Sequence, residues 1–149
     1  MVEPGAISSI VNNTISPDSE YRREFELGVA EFNNGQFFEC HDTFEHLWMD
    51  QRGERRRFVQ GLIQVAVGIF HASRSNFRGS NSQLTKGMAK LAEFRPRTLG
   101  IDVEKLYSDL LPLHHAVQAI LLNGEQGSVD AALIPRIEYQ YDAETMADF

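Results

Sequence analysis

Residues 58–70 read FVQGLIQVAVGIF, and this stretch decides the fold. Apolar side chains occupy nearly every side of it, which is typical of the central helix of a bundle. Gly61 and Gly68 are seven residues apart and therefore lie on one side of that helix. Because glycine has no Cβ atom, another helix can approach closely there. We predict a central helix over residues 54–75 with a neighbour packed on its glycine side.

Helical spacing of apolar residues also appears on both sides of this central segment. A first helix is predicted from Ser16-Pro17-Asp18, a good start signal, to Asn33-Asn34-Gly35, a good stop signal. The other predicted helices cover residues 36–50, 82–94 and 102–122, with a turn at 76–81 and a kink or division at Pro112. No strand pairs are predicted. The fold class is therefore all-α, a single-domain bundle of about five antiparallel helices.

The chain divides into three predicted regions. Residues 1–15 form a flexible N-terminal lead-in, residues 16–124 the helical bundle, and residues 125–149 an extended C-terminal tail. The total length of 149 residues fits one domain better than two. The tail is expected to lie on the bundle or on a partner.

Composition excludes several classes of function. The single cysteine, Cys40, allows no disulfide within the chain and is predicted to be buried rather than nucleophilic. No apolar run is long enough to span a bilayer, and residues 1–14 lack the pattern of a signal peptide. We therefore predict a cytoplasmic protein without a membrane partner. The formal net charge of −7 argues against a nucleic-acid partner, because phosphate contacts need Lys and Arg.

Polar residues interrupt the apolar stripes of the second and third helices. His41, Glu45 and Trp48 lie at i, i+4 and i+7 on the second helix. The third helix carries a polar stripe of Gln60, Gln64 and His71. Buried polar groups need partners, so the two stripes should face each other. An antiparallel pairing then predicts a buried network with His41 near Gln64 and Glu45 near Gln60, and with His71 level with the turn at 33–35.

Three roles for this cluster remain open from the residues alone. One is a structural hydrogen-bond network that sets the register of two helices. Another is a divalent metal site, since His41 and Glu45 at i, i+4 can chelate one ion. The last is acid–base catalysis by a buried Glu45 beside His41.

Two stretches resemble a known family. Residues 32–48 read FNNGQFFECHDTFEHLW and residues 56–66 read RRFVQGLIQVA. Together they resemble the signature of domain-of-unknown-function family 309, over about residues 20–94. The resemblance implies a compact helical bundle without an assigned activity. It also groups the following residues as the family's site: His41, Asp42, Glu45, Trp48, Gln60, Gln64 and His71.

Three hypotheses for the function follow, and the residues leave open whether the protein is an enzyme. The first is a module that binds a small ligand or a protein partner at the polar cluster. The second is a metal-dependent hydrolase in which His41, Glu45 and Asp42 serve as ligands. The third is a purely structural domain that forms a homodimer through the aromatic residues of the tail.

Overall fold

The computed structural model describes residues 17–141 and residue 143. Helices dominate this part of the chain, and the prediction of an all-α bundle is confirmed. Its elements in chain order are α1 (Pro17–Asn33), α2 (Phe37–Met49), α3 (Gly53–Ser73), α4 (Phe77–Ala92), β1 (Arg97–Thr98), β2 (Ile101–Asp102), α5 (Val103–Leu122) and a short 3₁₀ turn (Ala131–Leu133). The predicted lead-in at residues 1–15, the start signal at Ser16 and most of the tail end, residues 142 and 144–149, lie outside the described residues.

Consecutive helices are neighbours, so α3 packs against α2 on one flank and α4 on the other. Tight turns of three residues join α1 to α2, α2 to α3, and α3 to α4, as expected for antiparallel pairs. The inner side of α3 supplies a large share of the core. Its buried residues are Phe58, Val59, Gly61, Leu62, Val65, Ala66, Gly68, Ile69 and Ala72. None of the described helices is both long and apolar enough to cross a membrane.

A helix packs on the glycine side of α3, as predicted, and the structure shows that this helix is α4. A Cβ atom at Gly68 would lie 2.8 Å from Leu84 Cγ, and one at Gly61 would lie 3.2 Å from Leu91 Cδ2. The contact is reciprocal, because a Cβ atom at Gly87 of α4 would lie 2.9 Å from the carbonyl oxygen of Gly61. The two helix backbones therefore approach more closely than side chains would allow.

Helix α4 begins earlier than predicted. The predicted turn over 76–81 is wrong, because the helix starts at Phe77. Asn76 caps it: the Asn76 side-chain oxygen accepts a hydrogen bond from the Gly79 N–H at 3.0 Å. Gly79 and Ser80 are poor helix formers, but Phe77 and Ser80 are buried against the bundle. Burial and capping outweigh the weak local preference.

A short hairpin separates α4 from α5, so the prediction of no strand pairs is wrong. Arg97 pairs with Asp102 and Thr98 with Ile101, around the turn Leu99-Gly100. Both turn residues have positive φ, 52° and 80°, as a two-residue hairpin turn requires. Leu99 is only 1% exposed, so burial of its side chain offsets the strained backbone. A Leu-Gly pair is not the usual hairpin signal, which explains why the sequence did not indicate it.

Pro112 does not divide the last helix, because α5 runs without interruption from Val103 to Leu122. Proline removes one N–H donor, which leaves the carbonyl of Ser108 without its helical partner. Both Pro112 and Ser108 are exposed, so water can satisfy that carbonyl. The cost of the proline is thereby reduced.

The tail lies extended across the bundle and is held by its backbone. The Asn33 side chain donates from Nδ2 to the Ile137 carbonyl at 2.9 Å and accepts from the Ile137 N–H at 2.7 Å. The Gln140 N–H donates to the Gly100 carbonyl at 2.8 Å, beside the hairpin. Ile137 itself is buried. The amide of Asn33 therefore holds the tail against the bundle at Ile137, and we call these two hydrogen bonds the clasp.

Replacing Asn33 with Ala removes both clasp bonds. Each net hydrogen bond contributes about 1 kcal/mol, so amide exchange at Ile137 should accelerate by roughly tenfold or more. Hydrogen exchange followed by NMR measures this directly. Asn34→Ala is the matched control, because Asn34 is an exposed neighbour and should leave the exchange unchanged. Equal exchange rates in both variants would show that the clasp does not hold the tail.

Candidate functional site

A pocket opens between α2 and α3, near the end of the bundle where α2 begins. Its volume is about 180 Å³. We call it the α2–α3 pocket, and its lining residues are Phe37, Phe38, His41, Val67, Phe70 and His71. The lining thus combines three phenyl rings with two imidazoles.

Helix periodicity places these residues together. Phe38 and His41 are three residues apart on α2, and Val67, Phe70 and His71 share one face of α3. The rings of Phe38 and Phe70 lie 5.8 Å apart between centroids, so they pack across the two helices. Phe38 is nevertheless 56% exposed, and it lies at the edge of the pocket opening.

His41 is flanked by two carboxylates of its own helix. His41 Nε2 lies 2.8 Å from Glu45 Oε2, and His41 Nδ1 lies 3.3 Å from Asp42 Oδ1. These are ion-pair distances, and the charge interaction is favourable only when the imidazole is protonated. The side chains of Asp42 and Glu45 are 66% and 51% exposed, so this group lies at the surface.

The second imidazole, His71, is oriented by the cap of α4. Asn76 accepts the Gly79 N–H through its side-chain oxygen, which turns its amide nitrogen towards His71. Asn76 Nδ2 therefore donates to His71 Nδ1, at 3.3 Å. The neutral ring of His71 then carries its proton on Nε2, because Nδ1 is the acceptor. His71 can offer this N–H to a ligand.

The predicted buried network between the polar stripes is wrong. Gln64 Oε1 accepts a hydrogen bond from Lys90 Nζ of α4 at 2.9 Å, so Gln64 faces α4 rather than His41. In the described part of the chain no hydrogen bond joins Gln60 to Glu45. Glu45 is not buried, which also removes the predicted environment for acid–base catalysis. Burial, together with the positive charges of nearby side chains, lowers the pKa of Lys90.

Trp48 lies away from the pocket, near the other end of α2. The Arg56 guanidinium stacks over the Trp48 ring at 3.9 Å from its centroid, a cation–π contact. The indole Nε1 is buried and has no hydrogen-bond acceptor among the described residues.

Of the predicted site residues, the structure brings His41, Asp42, Glu45 and His71 together. It separates Trp48 and Gln64 from them.

Cys40 is buried, as predicted. Burial raises the pKa of its thiol, which disfavours the reactive thiolate.

The support for a metal site is weaker than a cluster of three converging ligands would provide. Among residues 17–141 and 143, no group of three or more His, Cys, Asp or Glu side chains is arranged to hold an ion. His41 and Glu45 remain a pair of candidate ligands.

The sequence pattern did not indicate that apolar residues form part of the site. Phe38 carries the available signal, since it is a large aromatic residue three positions before His41 on the polar side of α2. Val67 and Phe70 give no such signal, because they sit within a helix that is apolar on nearly all sides. Their partial exposure depends on how α2 and α4 flank α3.

A family model matches the part of the chain that contains this site. The family described as "Domain of unknown function (DUF309)" matches residues 25–83. The uncharacterized protein YpuF of Bacillus subtilis (strain 168) is 30% identical over 87 residues, which cover 56% of this chain and 50% of that protein. The matched region thus spans about half the length of this relative. The resemblance predicted from the sequence is confirmed, and residues 25–83 of this chain match the DUF309 family.

Proposed function

We propose that this chain is a binding module whose α2–α3 pocket receives one aromatic ring, or an apolar group of similar size, from a small molecule. The volume of the pocket, about 180 Å³, supports this proposal. An engineered, enclosed apolar cavity of roughly 150 Å³ in another protein binds benzene, and this pocket is of similar size but open to solvent on one side. The exposed ring of Phe38 supports it further, because a ligand that covers this ring removes apolar surface from water.

The surface of the pocket is almost wholly apolar, so binding depends mainly on the ring, and we assign a hydrogen-bond acceptor beside the ring to the edge of the pocket, at His71. His71 Nε2 is the donor, since His71 Nδ1 already accepts from Asn76. Both nitrogens of His41 face carboxylates, so His41 serves as a wall of the pocket. From the predicted polar cluster, the proposal keeps His41 and His71 in the ligand site.

Benzamide is a suitable probe, because it joins a phenyl ring to a carbonyl acceptor. We expect it to bind with a dissociation constant on the order of 1 mM, typical for a ligand of this size. NMR titration should shift the resonances of Phe38 and His71. Val67→Trp fills the pocket and should abolish these shifts. Leu27→Trp adds the same indole to an exposed position on α1 and is the matched control.

Acetamide shares the carbonyl but lacks the ring, so it should produce no shifts at the pocket. Circular dichroism of both tryptophan variants checks that they remain folded. The proposal would be rejected if benzamide left the pocket resonances unchanged, or if Val67→Trp bound benzamide as well as Leu27→Trp does.

A metal-dependent hydrolase is the second candidate. The observation that favours it is the 2.8 Å approach of His41 Nε2 to Glu45 Oε2, which places two ligand atoms where one ion can contact both. Asp42 lies on the other side of the imidazole and would need to rotate to join them. This candidate therefore needs water for most of the coordination shell.

Elemental analysis of untagged protein separates the two candidates. A binding module of the kind proposed contains no stoichiometric metal, in either the wild type or Glu45→Gln. One ion per chain in the wild type, lost in Glu45→Gln, would instead establish the metal site. Glu104→Gln is the control, since Glu104 is an exposed carboxylate on α5.

The homodimer predicted through the tail has less support. Tyr139 donates from its hydroxyl to Glu26 at 2.6 Å, and the Arg22 guanidinium lies 4.0 Å from the centroid of the Tyr141 ring. Both aromatic residues thus have partners within the chain. Dimerisation through the tail stays a prediction.

A further inference from the structure

The outward face of α3 is only partly covered by its neighbours. Residues on this face are half-buried, and we call them the outer strip: Gln60, Ile63, Gln64, Val67, Phe70 and His71. The strip touches α2 through the Phe38–Phe70 contact and α4 through the Gln64–Lys90 bond. It therefore forms the floor of a groove whose walls are α2 and α4. Three of its six side chains, Ile63, Val67 and Phe70, are apolar.

The two walls of the groove carry opposite charge. On α2, Asp42 and Glu45 stand beside His41, and both are more than half exposed. On α4, Lys90 reaches the outer strip at Gln64, and Lys86 lies one turn away on the same side. A partner that fits this groove must present a positive edge to α2 and a negative edge to α4.

The acidic and basic residues also lie at matching heights along α3. In an antiparallel pair, each step along one helix matches a step back along the other. The Phe38–Phe70 contact therefore places Asp42 level with Ala66 and Glu45 level with Ile63. The contacts of Leu84 with Gly68 and of Leu91 with Gly61 set the register of α4. They place Lys86 level with Ala66 and Lys90 level with Leu62.

A second copy of this chain meets these requirements in one orientation. A two-fold axis parallel to α3 brings α2 of each copy opposite α4 of the other and keeps the heights unchanged. Asp42 then faces Lys86 of the second copy, and Glu45 faces its Lys90. An axis perpendicular to α3 would instead place the acidic walls together and the basic walls together, which is repulsive.

We propose that the outer strip is a self-association surface on which two copies dock with their α3 helices parallel. The apolar side chains of the strip meet at the axis, and two equivalent sets of charge pairs flank them. By the same register, Gln83 of α4 lies level with Ile69. This is the height along α3 at which the α2–α3 pocket opens. The start of α4 from the second copy therefore covers the mouth of the pocket, and a ligand in it would lie between the subunits.

Sedimentation equilibrium over a concentration series tests this proposal. Wild-type protein should dimerise, and high salt should weaken the dimer because the flanking pairs are exposed. Asp42→Lys and Lys86→Asp should each weaken association by about tenfold or more, because every substitution places two repulsive pairs in the dimer. Glu104→Lys changes the charge of the chain as Asp42→Lys does, but on exposed α5, and should leave association unchanged.

Mixing the two variants gives the sharper result. In a heterodimer of Asp42→Lys with Lys86→Asp, both charge pairs are again attractive, so association should recover. Spin labels on Gln60→Cys or Arg74→Cys report the orientation, since Cys40 is buried and does not react. In the parallel dimer, a label at either position lies opposite the same label on the second copy. The perpendicular axis, placed near Val67, would separate each pair by roughly 20 Å along the helices.

Three outcomes would overturn the proposal: a monomer at all concentrations, a dimer unaffected by either charge reversal, or a mixture that does not recover. These outcomes are independent of ligand binding, which is tested with benzamide on the Lys86→Asp variant, because Lys86 lies on α4 and does not line the pocket. A wild-type protein that stays monomeric while benzamide binds to Lys86→Asp would refute the dimer and leave the pocket intact. Dimerisation of the wild-type protein, with no binding of benzamide to Lys86→Asp, would refute the pocket and leave the dimer intact.

Discussion

The close contact between α3 and α4 determines the arrangement of the other parts. A Cβ atom at Gly87 would lie 2.9 Å from the Gly61 carbonyl oxygen and 2.9 Å from the Val65 amide nitrogen, so two backbones touch there. Side chains elsewhere keep packed helices 8–10 Å apart between axes. Because α4 sits close against one flank of α3, Lys90 reaches Gln64. Helix α2 occupies the other flank, and the outer strip remains between them.

The features on which both proposals rest all border that strip. At one end, Phe38 and His41 of α2 meet Val67, Phe70 and His71 of α3 to form the pocket. Along the sides, the acidic wall of α2 and the basic wall of α4 stand at matching heights, as fixed by the two helix registers. The proposed ligand pocket and the proposed self-association surface thus lie on neighbouring parts of one surface. The DUF309 match covers this whole surface except for the basic end of α4, where Lys86 and Lys90 lie beyond residue 83.

Periodicity predicted the helices because it reflects a local property, the side of each helix that is buried. Gly61 and Gly68 indicated the close approach of a neighbouring helix for the same reason, but not which helix it is. The neighbour of each polar residue is a tertiary property, and here the sequence misled: Gln64 pairs with Lys90 on α4, not with His41 on α2. The hairpin was missed because Leu99 adopts positive φ only by virtue of its burial. Phe38 was missed because an exposed aromatic residue is ordinary until its surroundings are known.

The most direct test of this account is the free energy of unfolding of Gly87→Ala, with Ser82→Ala as the control on the exposed side of α4. If the backbones touch, the added methyl group should destabilise the protein by about 1–3 kcal/mol, although alanine favours a helix over glycine by about 1 kcal/mol. Ser82→Ala should be neutral or stabilising by a few tenths of a kcal/mol. A Gly87→Ala variant more stable than the wild type would show that α3 and α4 do not make this contact, and the positions assigned to the outer strip and its walls would be wrong.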